Sequence, residues 1–158
     1  MDPEGGYFTQ SYGSREVDAS LLILPQVGYC RPDDPRMVRT VAEMERTLLH
    51  EGLLHRYRMT ATDDGLAGGE HPFLACSFWL VEQYAQTGRV AEAEELMNRL
   101  VSFSNDVGLL SEEYDVGNLR QAGNTPQALS HLALVGAADA LAGVAGRGAH
   151  KHVSETRV

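Results

Sequence analysis

Two kinds of hydrophobic pattern alternate along this chain. Residues 19–29, 72–86 and 126–142 carry apolar or small side chains at nearly every helical position, which is typical of buried helices. Residues 34–50 and 90–104 instead place apolar side chains every three or four positions, with charged residues on the opposite face. That spacing predicts amphipathic helices. The order is therefore buried, amphipathic, buried, amphipathic, buried.

Capping and helix-breaking residues support these boundaries. Asp34-Pro35 and Thr125-Pro126 each place a capping side chain before a proline, a combination that favours the first turn of a helix. Gly88 lies just after the second buried segment, where glycine commonly ends a helix. Residues 144–158 lack periodicity and are expected to form a flexible tail after a folded portion that spans residues 1–143.

The spacing of the buried segments suggests an internal repeat. They open at Asp18, Pro72 and Pro126, each 54 residues after the one before. The turns from buried to amphipathic helices are short, whereas the returning loops 51–71 and 105–124 are long and polar. A partial α/α barrel of about five helices, with an inner and an outer ring and the long loops at one end, explains this all-α pattern. A solenoid of helix pairs is the alternative.

Charge and composition exclude several classes of function. The chain has 158 residues, 43% of them hydrophobic, and a formal net charge of −9, which argues against nucleic acid or anionic membranes as partners. No apolar run approaches the ~20 residues that span a bilayer. Met1 is not followed by a signal-peptide pattern, and Cys30 and Cys76 are interpreted as reduced thiols, so a cytoplasmic location is expected. No metal-ligand spacing or phosphate-binding glycine loop is present, so we expect no cofactor and no metal.

The candidate chemistry lies in the loop that enters the third buried segment. Glu112 and Glu113 stand there, and loops held by a rigid scaffold commonly carry catalytic groups. The surrounding sequence reads LSEEYD over 110–115 and GNTPQALSHLAL over 123–134. This combination resembles the glucoamylase/trehalase-type glycoside hydrolases (family fifteen), an inverting family built on a barrel of paired helices. The resemblance extends from Asp2 to about residue 143.

The resemblance implies a role for each acidic residue. Inversion requires one carboxylic acid to protonate the leaving oxygen and one carboxylate to activate water. The glutamate that follows serine in the family motif is the base, and it corresponds to Glu112. Glu113 occupies a position that is Glu or Gln in the family, so it is expected to be a polar neighbour of the substrate. Without the flanking motif, both would be interpreted as solvated loop acids.

Further substrate-binding residues follow from the same resemblance. Arg56 matches an arginine that donates to glucose hydroxyls, for which a planar fork of donors is well suited. Tyr57, Glu70 and Gln127 lie in matching segments, and Tyr12 either lines the pocket or wedges its loop. Trp79, Phe78 and His131 lie inside predicted helices, which favours core positions for the rings and a hydrogen-bonded core histidine.

One part of the family pattern has no counterpart in this sequence. The general acid of the family belongs to a W-E-x-R-type motif upstream of the segment that matches Tyr7. The chain is therefore expected to be the C-terminal portion of an α-glucosidase domain acting on trehalose or a short α-glucan, inactive by itself. The alternative is an inert fragment or a non-catalytic helical interaction module. Expected partners are a small carbohydrate and either a further copy of the chain or the N-terminal part of the domain.

Overall fold

A computed structural model describes the backbone of residues 1–58 and 71–155, and the side chains of residues 1–58 and 71–143. Within this part, helices provide most of the regular structure and the strands are two or three residues long. The helices are α1 (Pro35–Thr47), α2 (Leu74–Gln86), α3 (Val90–Val101) and α4 (Ala128–Glu155), and the strands are β1 (Leu49–His50), β2 (Leu53–Leu54), β3 (Glu113–Asp115) and β4 (Arg120–Ala122). No helix of the described part is long and apolar enough to cross a membrane.

Helix α1 forms where the sequence predicts it. The Asp34 carboxylate accepts a hydrogen bond from the backbone N–H of Arg36 at 2.9 Å, and Pro35 occupies the first turn. Its buried face carries Met37 and Met44, both without solvent exposure. The Asp34 carboxylate provides an acceptor for a backbone N–H that has no partner within the helix, and one apolar stripe is buried. Together these two features account for the helix.

The prediction of a buried helix over residues 19–29 is wrong in the length of the helix. Residues Ala19–Ile23 form one short 3₁₀ helix, capped by Asp18, and residues 24–28 continue as turns. Pro25 lacks a backbone N–H and cannot donate a helical hydrogen bond, so an α-helix through this segment is unfavourable. Gly28 then adopts a positive φ of 75°, which ends the segment.

Helix α2 lies at the centre of the fold. Its side chains are buried on nearly every side, and it packs against both α3 and α4. Gly88 follows it with φ 84°, as predicted for a helix stop. Tyr84 of α2 donates to the Glu45 carboxylate at 2.6 Å, which ties α2 to α1, and Arg89 contacts the same carboxylate at 2.6 Å. The predicted alternation of buried and amphipathic helices therefore holds for α1, α2 and α3.

Helix α4 begins later and ends later than predicted. It starts at Ala128 rather than Pro126, because residues 124–127 are held against the preceding loop by main-chain hydrogen bonds. The N–H of Glu112 donates to the Asn124 carbonyl, and the N–H of Gln127 donates to the Leu110 carbonyl, both at 2.9 Å. The helical backbone continues to Glu155, beyond the predicted end near residue 142. It begins 54 residues after α2, which preserves the predicted repeat.

Two short antiparallel hairpins were not predicted: β1 occupies the expected end of the helix over residues 34–50, and the other three strands lie in segments expected to be loop. In the first, Leu49 pairs with Leu54 across a turn in which Glu51 and Gly52 both have positive φ. In the second, β3 pairs with β4, with Glu113 opposite Ala122. Neither strand pair is long enough to show a period of two in the sequence, so hydrophobic patterning could not reveal them.

Candidate active site

Glu112 lies between the start of α2 and the start of α4. Its carbonyl accepts from the N–H of Leu74, and its own N–H donates to Asn124, both at 2.9 Å. Ser111, the residue before Glu112, is also held, because the buried hydroxyl of Ser130 donates to its carbonyl at 2.8 Å. The backbone that presents Glu112 is therefore fixed by two helices.

The carboxylate of Glu112 is held through one of its two oxygens. Oε2 accepts from the side-chain amide of Asn124 at 2.7 Å and from the backbone N–H of Asn124 at 3.1 Å. Among the described residues, no donor reaches Oε1 of the same group. Residue 123, which precedes Asn124, must be small, because a Cβ added to Gly123 would lie 2.9 Å from Oε2 of Glu112. Its φ of 71° also favours glycine.

Glu112 faces a small polar cavity of about 90 Å³. The walls combine carboxylates, an arginine, imidazoles and aromatic rings from three separate segments. They are His55, Arg56, Tyr57, His71, Phe73, Glu112 and Glu113. Since one water occupies roughly 30 Å³ of the liquid, the cavity has room for a few water molecules beside a carboxylate. This arrangement can present water to a base.

A wider groove opens on the other side of Arg56. It measures about 430 Å³, within the roughly 300–1,000 Å³ that small-molecule sites occupy. Arg56 and Tyr57 line both spaces, so the groove and the small cavity share a wall. The Arg56 side chain is 57% exposed and lies 3.8 Å from the Asp18 carboxylate. Most of its donors are therefore accessible to a ligand in the groove.

Two histidines of the cavity wall differ in their surroundings. Burial lowers the pKa of the His55 imidazole, and the nearby His50 and His71 act in the same direction. His71 Nε2 lies 3.7 Å from the Asp115 carboxylate. Hydrogen bonds from Asn118 are the main cause that lowers the pKa of Asp115. The cavity wall therefore carries one imidazole whose pKa is lowered by burial and a second imidazole that lies close to the Asp115 carboxylate.

The structure brings together only some of the predicted site residues. Glu112, Glu113, Arg56 and Tyr57 line one cavity. Tyr12 is fully exposed and lines a different groove of about 460 Å³ beside Leu21 and Tyr29. Gln127 lies just before α4, where its backbone N–H donates to Leu110, and Glu70 falls outside the described residues.

Phe78, Trp79 and His131 were predicted to be structural residues, and their contacts are structural. Phe78 is fully buried, and Trp79 packs against the core while remaining partly exposed. His131 accepts a hydrogen bond from the N–H of Leu110 at 3.1 Å, as expected for a hydrogen-bonded histidine. Within the described ranges, no group of three or more His, Cys, Asp or Glu side chains could hold a metal ion.

Sequence reasoning missed His55, His71 and Asn124. Each lies next to a residue that was singled out: His55 precedes Arg56, His71 precedes the proline that opens a helical segment, and Asn124 follows Gly123 in the glycine-containing motif. In the sequence, the signal for these three residues was their position next to a residue of interest. Only the folded loop shows that the Asn124 side chain turns back onto Glu112.

Comparison with known proteins decides the family. A sequence model of the glycosyl hydrolases family 15 matches residues 1–139. The chain belongs to this family. The match confirms the resemblance carried by the loop of Glu112 and covers most of the chain.

Several curated relatives of this family 15 chain are trehalases. Those of Mycobacterium tuberculosis and Mycolicibacterium smegmatis are 46% and 44% identical over 132 residues, and each match covers 84% of this chain. The trehalase of Thermoplasma acidophilum is 40% identical over 136 residues, or 85% of the chain. These matches cover 19%, 20% and 23% of the relatives, so the chain spans about a fifth of their length.

Solved structures support the barrel architecture. A structure titled "Glycosidase Wild Type" superposes with a TM-score of 0.73 at 25% identity, covering 88% of this chain and 39% of the other. A glycosidase variant in complex with glucose gives the same TM-score at 24% identity, which bears on the fold alone. The family 15 chain therefore has the fold of a partial α/α barrel rather than of a solenoid.

Proposed function

We propose that the catalytic domain containing this chain hydrolyses α-glucosides with inversion, with trehalose favoured over a short α-glucan. The observation that carries the proposal is the position of Glu112 on a fixed loop, facing a polar cavity next to Arg56. The trehalases at 40–46% identity favour the trehalose branch. We propose that residues 1–143 form the C-terminal portion of that domain.

In this mechanism Glu112 acts as the general base. Its carboxylate takes a proton from a water in the small cavity, and the resulting hydroxide oxygen bonds to the anomeric carbon as the glycosidic bond breaks. The leaving oxygen takes a proton from a carboxylic acid on the opposite face of the sugar. We expect that acid in the upstream W-E-x-R-type motif of the family, so a complete domain needs more than residues 1–158.

The groove beside Arg56 is the proposed position of a glucose ring. The exposed guanidinium can donate to two hydroxyls at once, and Asp18 keeps it at the groove wall. Tyr57 lines both the groove and the small cavity, and Glu113 lines the small cavity. We propose these residues as substrate contacts. Tyr12, Glu70 and Gln127 remain predicted contacts.

A second candidate is a helical interaction module without catalysis. The face of α4 favours it, because Leu132 and Val135 are 69% and 57% exposed. Exposed apolar patches commonly mark association surfaces. Another copy of the chain or the N-terminal part of the barrel would cover this face. An upstream W-E-x-R motif in frame with this chain favours the enzyme, and we propose a cytoplasmic location for either case.

Steady-state kinetics on a complete catalytic domain that contains this chain tests the enzyme proposal. The wild type should hydrolyse trehalose faster than maltose. Glu112→Gln should abolish turnover with little change in inhibitor binding measured by calorimetry, because an amide keeps the shape but cannot accept the proton. Arg56→Ala should raise KM and lower kcat together, because it removes donors used in both the ground state and the transition state.

Glu113→Gln is the matched control. It makes the same chemical change one residue further along, at a position where the family accepts glutamine, so its loss should be mild. A dead Glu113→Gln together with an active Glu112→Gln would move the base by one residue. A complete wild-type domain that hydrolyses neither trehalose nor maltose would refute the proposed function.

A further inference from the structure

We infer that Asn124 is a positioning residue that selects which oxygen of Glu112 acts as the base. This inference rests on the proposed function for its catalytic meaning. Asn124 lies outside the predicted site residues. The contact between Asn124 and Glu112 is observed directly in the described structure.

Asn124 holds Glu112 at both the main chain and the side chain. The Glu112 N–H donates to the Asn124 carbonyl at 2.9 Å. In return, the Asn124 backbone N–H and side-chain amide donate to Oε2 of Glu112 at 3.1 and 2.7 Å. Three hydrogen bonds between two residues twelve positions apart leave the carboxylate little rotational freedom. The two donors also meet on the same oxygen.

Gly123 makes the contact between Asn124 and Glu112 possible. A side chain there would approach Oε2 of Glu112 to 2.9 Å and its Cβ to 3.0 Å, closer than ordinary contacts allow. The φ of 71° is also one that side chains other than glycine rarely adopt. The backbone can therefore bring the Asn124 amide onto the carboxylate only because residue 123 lacks a Cβ.

The consequence for catalysis follows from the two oxygens. Oε2 is occupied by two donors, and Oε1 accepts none from the described residues. Oε1 is thus the oxygen left to accept the proton of the attacking water. Asn124 itself exchanges no proton in this scheme.

The contact can be tested in this chain without any activity. In nuclear magnetic resonance spectra, the backbone and side-chain amide protons of Asn124 should shift with pH through the acidic range as Glu112 ionises. The shift should disappear in Glu112→Gln. Asn118, which donates to Asp115 at 3.0 and 2.8 Å, is the matched control and should titrate in both proteins. An Asn124 that does not titrate, or that titrates equally in Glu112→Gln, overturns the inference.

Kinetics on the complete domain tests the catalytic consequence. Asn124→Ala should lower kcat about 10- to 100-fold with KM nearly unchanged, the usual range for a lost hydrogen bond to a charged group. Asn124→Asp keeps the shape but replaces the donor by a second carboxylate, so it should be at least as impaired as Asn124→Ala.

If Asn124 had only a structural role, the activities of its two variants would follow a different order. If the side chain only fills space, Asn124→Asp should be more active than Asn124→Ala, because it keeps the shape of the side chain, and that result overturns the inference. Asn118→Ala should leave kcat unchanged. If the wild-type domain proves inactive, the proposed function fails, whereas the titration still decides whether Asn124 holds Glu112.

Discussion

Replacing Ser130 by alanine should destabilise the chain through the loop that carries Glu112. Ser130 is fully buried on α4, and its hydroxyl donates to the Ser111 carbonyl at 2.8 Å. Ser111 is itself fully buried. The substitution therefore removes the donor and leaves a buried carbonyl without that hydrogen bond.

The magnitude follows from two opposing effects. Leaving a buried acceptor unpaired costs about 1–3 kcal/mol, for which we take ~2 kcal/mol. Alanine is the better helix former, which offsets roughly 0.5 kcal/mol within α4. The free energy of unfolding should therefore fall by about 1.5 kcal/mol. For a protein of this size, that corresponds to a decrease in Tm of about 3–6 °C.

Urea denaturation followed by circular dichroism measures this difference in the 158-residue chain, at two protein concentrations to separate folding from association. Ser102→Ala is the control, because the Ser102 hydroxyl also donates to a carbonyl, that of Arg99 at 2.6 Å, but at an exposed helix end. Water can replace that bond, so the control should change stability by less than about 0.5 kcal/mol. Equal effects for the two variants would refute the argument from burial.

The remaining predictions concern activity, association and pH. The 158-residue chain alone should show negligible hydrolysis of trehalose or maltose, because the lost general acid is worth ~10²–10⁴-fold; robust turnover would contradict this. Light scattering should detect association that Leu132→Glu reduces, since Leu132 is 69% exposed, whereas a monomer that binds no hydrophobic dye would argue against it. The pKa of Asp115 is lowered from 3.8, so its contribution to stability is present above that pH and lost as pH falls through the lowered value. Asp115→Asn should therefore weaken the chain near neutral pH and flatten its acid denaturation profile; an unchanged profile would refute it. Burial lowers the pKa of His55 from 6.5, so stability should fall as pH drops below 6.5, less steeply in His55→Gln, and equal slopes would contradict the assignment.

The helices were largely determined by local sequence. In α1, the Asp34 cap, Pro35 and an apolar stripe act within a few residues of one another, so the pattern predicts the helix that forms. The same holds for α2, whose end at Gly88 needs only a residue that tolerates positive φ. The first predicted helix failed where two local signals conflicted. Apolar residues favoured burial, but Pro25 removed a backbone donor, and the result is a short 3₁₀ helix.

The residues of the candidate site were predicted only as far as the motif extended. Glu112, Glu113, Arg56 and Tyr57 were singled out, and the fold places them around one cavity. Their mutual distances depend on segments more than fifty residues apart, and neither hydrophobic period nor composition encodes that geometry.

The tertiary structure alone decided how Glu112 is held. The Asn124 amide, the space left by Gly123 and the hydroxyl of Ser130 act on the loop across gaps of eleven to nineteen residues. Long-range hydrogen bonds of this kind leave no periodic trace, because a single polar atom in the right place is sufficient. The sequence by itself therefore determined the helices and the identity of the candidate base. Folding determined the partners of that base, since only the packed helices bring those polar atoms within hydrogen-bonding distance.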